Sequence, residues 1–415
     1  MSVFTFAEAR HIVEQHARGL QAAGVETKPL LAARDRVLAE AVFADRDFPP
    51  FARSIRDGYA VKAADVARPP ARLKIVGEIK AGVAPEFIPC ELPPSQAIEI
   101  MTGAPLPAGA DAVVMLEYTA REGETVIVQK GVVPGENVVP RGAEAHAGDL
   151  LLAPGIHLEP ATIGLAASAG KTELQVYTRP KVTILVTGDE LVEIARVPGP
   201  YQIRNSNSYS LAAQVETAGA HALMLPVTQD EADKLCRSIT EGLAADLLLI
   251  TGGVSMGKYD LVEQVLAELQ AKFLFTGALI QPGKPVVFGY VPSSGSAEAG
   301  CAPKLFFGLP GNPVSTMVTF DLFVRPVIRA LSGAAPRPLL FLQANLKAEL
   351  RTNPGLTRFL PAALTGEFEH AEVEIIPWRG SGDMAAAARA NCYLVVPPDR
   401  ERIAAGEKVS VLVKS

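Results

Sequence analysis

The chain has 415 residues, 48% of them hydrophobic, and a formal net charge of -6. That length divides into several domains rather than one core, and the acidic balance excludes the broad basic face that non-specific nucleic-acid binding requires. No apolar run approaches the roughly 20 residues of a membrane span, and the opening MSVFTFAEARHIVEQ lacks a basic stretch followed by an apolar one, so a cytoplasmic protein with no secretory leader is expected.

The first element predicted is an amphipathic helix over 5–24. Thr5 and Glu8 fit a capping box, Ala9, Ile12, Val13, His16 and Leu20 share a face, and Gly24 stops it. His11 and His16 read as helix-surface or satisfied residues. A second helix is expected over 29–43, before the break at Phe48-Pro49-Pro50-Phe51. From 52 to 144 the texture changes to short alternating segments (73–79, 97–101, 112–118, 125–128) between Gly/Pro turns, a β-rich module. Residues 145–178 return to helix, with 157–170 apolar or small throughout. Residues 1–51 and 145–178 are therefore expected to form one discontinuous helical domain with the module, 52–144, inserted into it.

Residues 179–332 alternate strand and helix, which implies a parallel sheet with right-handed crossovers. Helices are predicted at 208–218 and 231–244, and a strand at 221–227. Residues 292–302 are low in complexity and read as a loop insertion. After a linker at 334–338, strands are expected at 339–346, 373–376, 392–396 and 408–413, making 333–415 a C-terminal β domain. The fold class expected is thus α/β multi-domain: a central parallel α/β sheet, an inserted β-rich module, an N-terminal helical elongated domain and a C-terminal β domain. The cysteines, Cys90, Cys236, Cys301 and Cys392, are scattered without CxxC spacing and read as free thiols in a reducing compartment.

Three apolar runs in the α/β region end at glycine-marked polar tips: 181–190, 246–255 and 305–315. Each is continuous and rich in aliphatic residues, as a strand buried on both faces should be. Ligands in such sheets bind outside the carboxyl ends of the strands. The tips carry Glu190, Ser255, Asp260 and Ser315 and suit anions, because glycines let backbone N–H groups approach phosphate. No Walker A, GxGxxG, HExxH or GxSxG motif competes. Asp57, Glu190, Asp230 and Asp260 all sit beside turns. Any one alone reads as a turn or capping acid, but together they suit Mg²⁺ that also holds phosphate. Thr102 lies in a turn between strands, Lys284 in the stiffened Gly283-Lys284-Pro285 loop, and Ser381 in the donor-rich loop 380–383.

Read together, SIRDGYA (54–60), IMTGAPLPAGADAVVMLE (100–117), TGDEL (187–191), QIRNSN (202–207), TGGVSMGKYD (251–260), PGKP (282–285), GLPGNPVS (308–315) and GSGDMAAAARAN (380–391) resemble the molybdopterin molybdenumtransferases, the family that includes the E domain of gephyrin. The resemblance implies an elongated homodimer that takes adenylylated molybdopterin, supplied by an adenylyltransferase, together with molybdate. It cleaves the adenylate with a divalent metal and releases AMP. Discontinuous domain 1–51/145–178 would serve dimerisation, and the site would lie between the α/β domain and the inserted module of the partner. Glu190, Thr102 and Asp57 would be catalytic. Asp57, Glu190, Asp230, Asp260 and Glu144 would hold Mg²⁺. Gly252, Gly253, Ser255, Lys284, Pro285, Gly311, Asn312, Ser315, Arg358 and Ser381 would bind substrate, with Lys284, Ser381 and Arg358 toward molybdate. Several positions depart from the family pattern: Gln281 replaces a lysine, Val139 and Leu356 replace arginines, Glu144 an aspartate and Arg53 an asparagine. These leave open tungstate use, or a scaffold with a degenerate site. A nucleotide enzyme sharing only the α/β domain is disfavoured by the matches at 54–60 and 100–117.

Overall fold

The computed structural model describes residues 3–89, 91–253, 261–292 and 303–414. The N-terminal helix spans Phe6–Arg18 and ends at Gly19, earlier than expected. Its start follows the capping box: Thr5 N–H donates to Glu8 Oε2 at 2.8 Å and Glu8 N–H to Thr5 Oγ1 at 3.3 Å. Its buried face, Ala9 and Val13, joins the core of the α/β domain, and Phe6 meets Phe323 and Phe359 edge-on. His16 stacks on Tyr290, and burial holds its imidazole below its usual pKa.

The expected N-terminal helical domain is corrected. The helix over 29–43 is absent: Leu30–Ala33 forms a single 3-10 turn, and Asp35, at φ 62, turns the chain away. The flanking strands Val25–Pro29 and Val42–Phe43 pair with Glu173–Tyr177 and Leu150–Leu152. The small core of this lobe (Leu38, Val42, Leu158, Leu174, Val176) is roofed by the helix Pro160–Ser168.

The inserted module is a six-stranded sheet in the order 112–115, 58–61, 96–100, 71–79, 125–128, 119–122. Strand 58–61 begins at Gly58, where a Cβ would lie 1.9 Å from the Val114 carbonyl oxygen, so no other residue fits after Asp57.

The elements of the α/β domain, numbered in chain order, are β1 Lys181–Val186, α1 Asn207–Thr217, β2 His221–Met224, α2 Ala232–Gly242, β3 Leu247–Thr251, α3 Leu261–Glu268, β4 Lys272–Phe275, β5 Val287–Val291, β6 Lys304–Leu309, α4 Pro313–Thr319 and α5 Arg325–Leu331. The sheet order is β2-β1-β3-β6-β5-β4. The first four strands are parallel, but β5 and β4 run antiparallel to the neighbours they pair with. The sheet is therefore mixed, not parallel as expected. Antiparallel neighbours need no crossover helix, which is why the helical period lapses between 270 and 304. Alternate residues of the predicted strands feed two cores. Val182, Ile184, Leu247, Leu249, Leu305 and Phe307 face one layer, and Leu185, Leu248, Ile250 and Phe306 the other.

In the C-terminal domain the strands 357–365, 372–375, 341–346, 408–413 and 392–396 follow one another, and the first also pairs with the last, closing a small β-barrel. Cys392 is buried there as a free thiol, pushed up to about 11 by burial; Cys236 is free and half-buried, and Cys90 and Cys301 lie outside the described residues. The barrel is tied to the α/β domain by one buried carboxylate. Asp321 accepts from Arg325 Nη2 at 2.6 Å, from Gln214 Nε2 at 3.2 Å and from Tyr393 OH at 3.2 Å. Burial, and then the Asp321 charge, raise the Tyr393 hydroxyl well above its usual pKa, so it stays a donor.

Tyr393→Phe keeps the ring and deletes one donor to a buried charge. It is expected to lower stability by about 1.5–3 kcal/mol, read as a lower urea midpoint. An unmoved midpoint would mean that Arg325 and Gln214 alone satisfy Asp321.

Candidate functional site

The carboxyl ends of β1, β3 and β6 open into one cleft of about 470 Å³. Thr187 and Glu190 come from the first tip, Thr251, Gly252 and Gly253 from the second, and Pro310, Gly311 and Asn312 from the third. Asp230 enters from the loop after β2, and Pro285 from the loop before β5. The tips are hydrogen-bonded to one another. Thr187 N–H donates to the Thr251 carbonyl at 3.0 Å, and Thr251 Oγ1 donates to the Pro310 carbonyl at 2.9 Å. Gly252 has φ +90, and a Cβ there would lie 2.0 Å from the Thr187 carbonyl oxygen. The Thr187 hydroxyl donates to Asp230 Oδ1 and fixes that carboxylate at the rim.

The floor is made by residues of the QIRNSN motif to which the sequence reading gave no role. Asn205 caps α1 by exchanging bonds with Ser208: it accepts from Ser208 N–H at 3.1 Å and donates to Ser208 Oγ at 2.8 Å. Asn207 Nδ2 donates to the Gly311 carbonyl at 2.7 Å and to Thr251 Oγ1 at 3.2 Å. These two acceptors orient the amide, leaving Asn207 Oδ1 buried without a partner. A buried acceptor left open beside a cleft is a place for a ligand donor. The signal available in the sequence was an asparagine pair straddling a serine just before a helix.

A second group of the predicted residues gathers around α4. Ser315 is buried within that helix and does not line the cleft. The Ser381 carbonyl accepts from Val314 N–H at 2.9 Å. Gly283 packs against Thr319 and the Ser315 carbonyl, which sets the exposed Lys284 beside the helix. Gln281 pairs with Arg358 across a two-residue parallel ladder. Arg358 Nη1 donates to the Leu356 carbonyl at 3.2 Å, and burial lowers its pKa from the usual value. Arg358 thus sits beside two of the three positions where the family pattern has lost a cation, Gln281 and Leu356.

The remaining predicted residues stand apart within one chain. Asp57 accepts from Thr102 N–H at 2.7 Å and from Thr102 Oγ1 at 2.8 Å, and these bonds hold its carboxyl below the usual range. Both residues are on the inserted module and neither lines the cleft. Glu144 is paired with Arg53 Nη2 at 3.1 Å. Arg53 lies directly opposite Val139 in the ladder joining 53–54 to 138–139. Ser255 and Asp260 lie outside the described residues. The expected five-carboxylate metal set is not assembled in one chain: among the described residues no group of three or more His, Cys, Asp or Glu could hold a metal ion.

Fold and cleft define a multi-domain α/β protein with an anion-suited site at the carboxyl ends of a mixed sheet. Residues 4–170 match the MoeA N-terminal region (domain I and II), 183–330 the probable molybdopterin binding domain, and 343–414 the MoeA C-terminal region (domain IV). The chain is 37% identical to the molybdopterin molybdenumtransferase of Nostoc sp. over 93% of its own length and 88% of the relative's. It is 34% identical to that of Bacillus subtilis over 91% and 87%. A crystal structure of the molybdopterin biosynthesis MoeA protein from Pyrococcus horikoshii superposes with a TM-score of 0.76 at 27% identity, covering 100% of each chain. The chain belongs to the molybdopterin molybdenumtransferase family. Among the described residues, no helix is long and apolar enough to cross a membrane.

Gly252→Ala forces a side chain onto the Thr187 carbonyl and strains a positive φ. It is expected to lower stability by about 2 kcal/mol or more, seen in the thermal midpoint; an unchanged midpoint would mean the tips are not in contact. On the module, Thr102→Ala removes one donor to Asp57 and is expected to raise its pKa toward the ordinary value. Because the folded pKa is the depressed one, this contribution is present above the unfolded pKa and lost as pH falls through the folded value. Carboxyl-carbon NMR titration reads the change, and an unmoved midpoint would assign the depression to the backbone bond alone.

Proposed function

We propose that this chain inserts molybdate into adenylylated molybdopterin, hydrolysing the adenylate and releasing AMP. The observation that carries the reading is the meeting in one cleft of residues from separate motifs: Glu190, Asp230, Gly252, Gly311 and Asn312. The full-length similarity to transferases of this name supports it.

In this reading the glycine tips receive the phosphates through backbone N–H groups. The buried Asn207 Oδ1 accepts a pterin N–H, beside Gly311 and Asn312. Glu190 and Asp230 suit Mg²⁺, a hard ion bound by one or two carboxylates together with substrate phosphates. When bound, Mg²⁺ supplies neutralisation of the charge that develops at the phosphoanhydride. Asp260 and Ser255 would complete this edge. Lys284, Arg358 and Ser381 hold molybdate next to α4, in which Ser315 is buried, and Pro285 contacts substrate from the wall of the cleft.

Asp57 and Thr102 supply the opposite wall, and the separation of module and cleft within one chain supports their coming from the partner subunit of a homodimer. Thr102 keeps Asp57 ionised and oriented for the attacking water. Arg53 faces Val139 and binds Glu144, so the cation missing at 139 is supplied from across the ladder. That favours an active enzyme over a degenerate scaffold. An adenylyltransferase in the cytosol would deliver the substrate.

The test is AMP release from adenylylated molybdopterin with Mg²⁺ and molybdate. Glu190→Ala is expected to slow it about a hundredfold. Release no faster than background, or a Glu190→Ala rate equal to wild type, would sink the proposal. Equal rates with tungstate would reassign the oxyanion rather than the reaction.

A further inference from the structure

A cavity of about 290 Å³ lies where three parts of the chain meet, and among the described residues none of its lining belongs to the cleft. One side comes from the lobe built on 25–44 and 150–177, one from the C-terminal end of α1, and one from α5 and the linker after it. Five arginines line it, Arg36, Arg179, Arg325, Arg329 and Arg337, against two carboxylates, Asp35 and Glu216. In a chain of net charge -6 this is a local reversal of sign.

Most of these charges are already matched. Arg36 Nη2 donates to Glu26 Oε1 at 2.5 Å, Arg325 Nη2 to Asp321 at 2.6 Å, and Arg179 lies 3.8 Å from Glu216. Asp35 is taken by Arg34 at 3.1 Å. Among the described residues, Arg329 and Arg337 form no ion pair. Arg329 and Arg337 are exposed to solvent, and partial desolvation, then the positive charges of Arg325 and Arg337, push the Arg329 guanidinium below its usual pKa. The last turn of α5 favours one cation there, through the helix dipole, but not three. Arginine does not shed its proton to relieve such repulsion. What relieves it is an anion, and guanidinium forks match phosphate oxygens two at a time.

We propose that this seam is a second anion site, for a small polyphosphate group, held by Arg329 and Arg337 and backed by Arg325. The anion would be held by α5 and the linker after it, facing the N-terminal lobe across the cavity, and would take no part in the reaction in the cleft.

The experiment is calorimetric titration of the full-length protein with inorganic pyrophosphate, in buffer of fixed ionic strength set with sodium chloride. Arg329→Gln/Arg337→Gln is the test variant, and Arg337→Gln alone, on the exposed linker, covers a folding failure of the double variant. Wild type is expected to bind one more pyrophosphate per chain than the double variant. Arg337→Gln is expected to weaken that site about tenfold. AMP release at saturating substrate should be unchanged in both, which separates this site from the cleft. Equal stoichiometry and affinity in wild type and variants would overturn the proposal. So would wild-type binding that disappears when sodium chloride is raised from 50 to about 150 mM, since a shaped phosphate site outlasts screening of loose surface charge.

Discussion

The cleft depends on one close approach. Three parallel strand ends must lie side by side, and the turn after β3 must pass under the turn after β1 with no side chain between them. Gly252 makes that possible, because its backbone lies against the Thr187 carbonyl where a Cβ would stand 2.0 Å away. Once the backbones are that close, the polar groups at the tips have little choice of partner. Thr251 donates to Pro310, Asn207 spans Thr251 and Gly311, and Thr187 fixes Asp230. The close fit of the tips is therefore a consequence of the sheet, and among the described residues of the floor Asn207 Oδ1 is left without a partner.

A second constraint sets how the cleft meets the oxyanion end. Asp321 is buried, and a buried carboxylate is tolerable only when fully hydrogen-bonded. Its three donors come from α1, from the first residue of α5 and from the C-terminal barrel. That bond set fixes the barrel against the α/β domain, where Arg358 of the barrel pairs with Gln281 and the Ser381 carbonyl accepts from Val314 of α4. Two polar hubs, one at the strand tips and one at Asp321, position the two halves of the proposed substrate path.

Much of this was readable in the chain, for a physical reason. Strands buried on both faces write continuous apolar runs, so β1, β3 and β6 stood out, and their tips named Glu190, Gly252 and Gly311. The capping box at Thr5 and Glu8 is likewise a local chemical signature. What escaped was set by tertiary partners. The antiparallel β4 and β5 carry no crossover helix to announce them. The strand 357–365 contains Pro361, which argues against a strand locally, yet it is the seam that closes the barrel. Residues 30–33 have helical composition, but Asp35 turns the chain after one turn. The role of Asn207 was hidden because its partners, Thr251 and Gly311, lie on other loops.

The departures from the family pattern make the same argument at the level of charge. Read singly along the chain, Val139 and Gln281 are lost cations, and each weakens an anion site. In the fold, Val139 faces Arg53 and Gln281 faces Arg358. Directly opposite residues of an antiparallel pair, as Arg53 and Val139 are, have side-chain origins about 4.5–5.5 Å apart, and an arginine is long enough to place its guanidinium across that gap. A cation moved to the facing strand delivers its charge to nearly the same place, while its backbone position changes by most of a hundred residues. Positive charge at an oxyanion site is a property of a volume, not of a sequence position. In the fold each of these two positions therefore keeps an arginine directly across the ladder, and Arg53 has a partner of its own in Glu144.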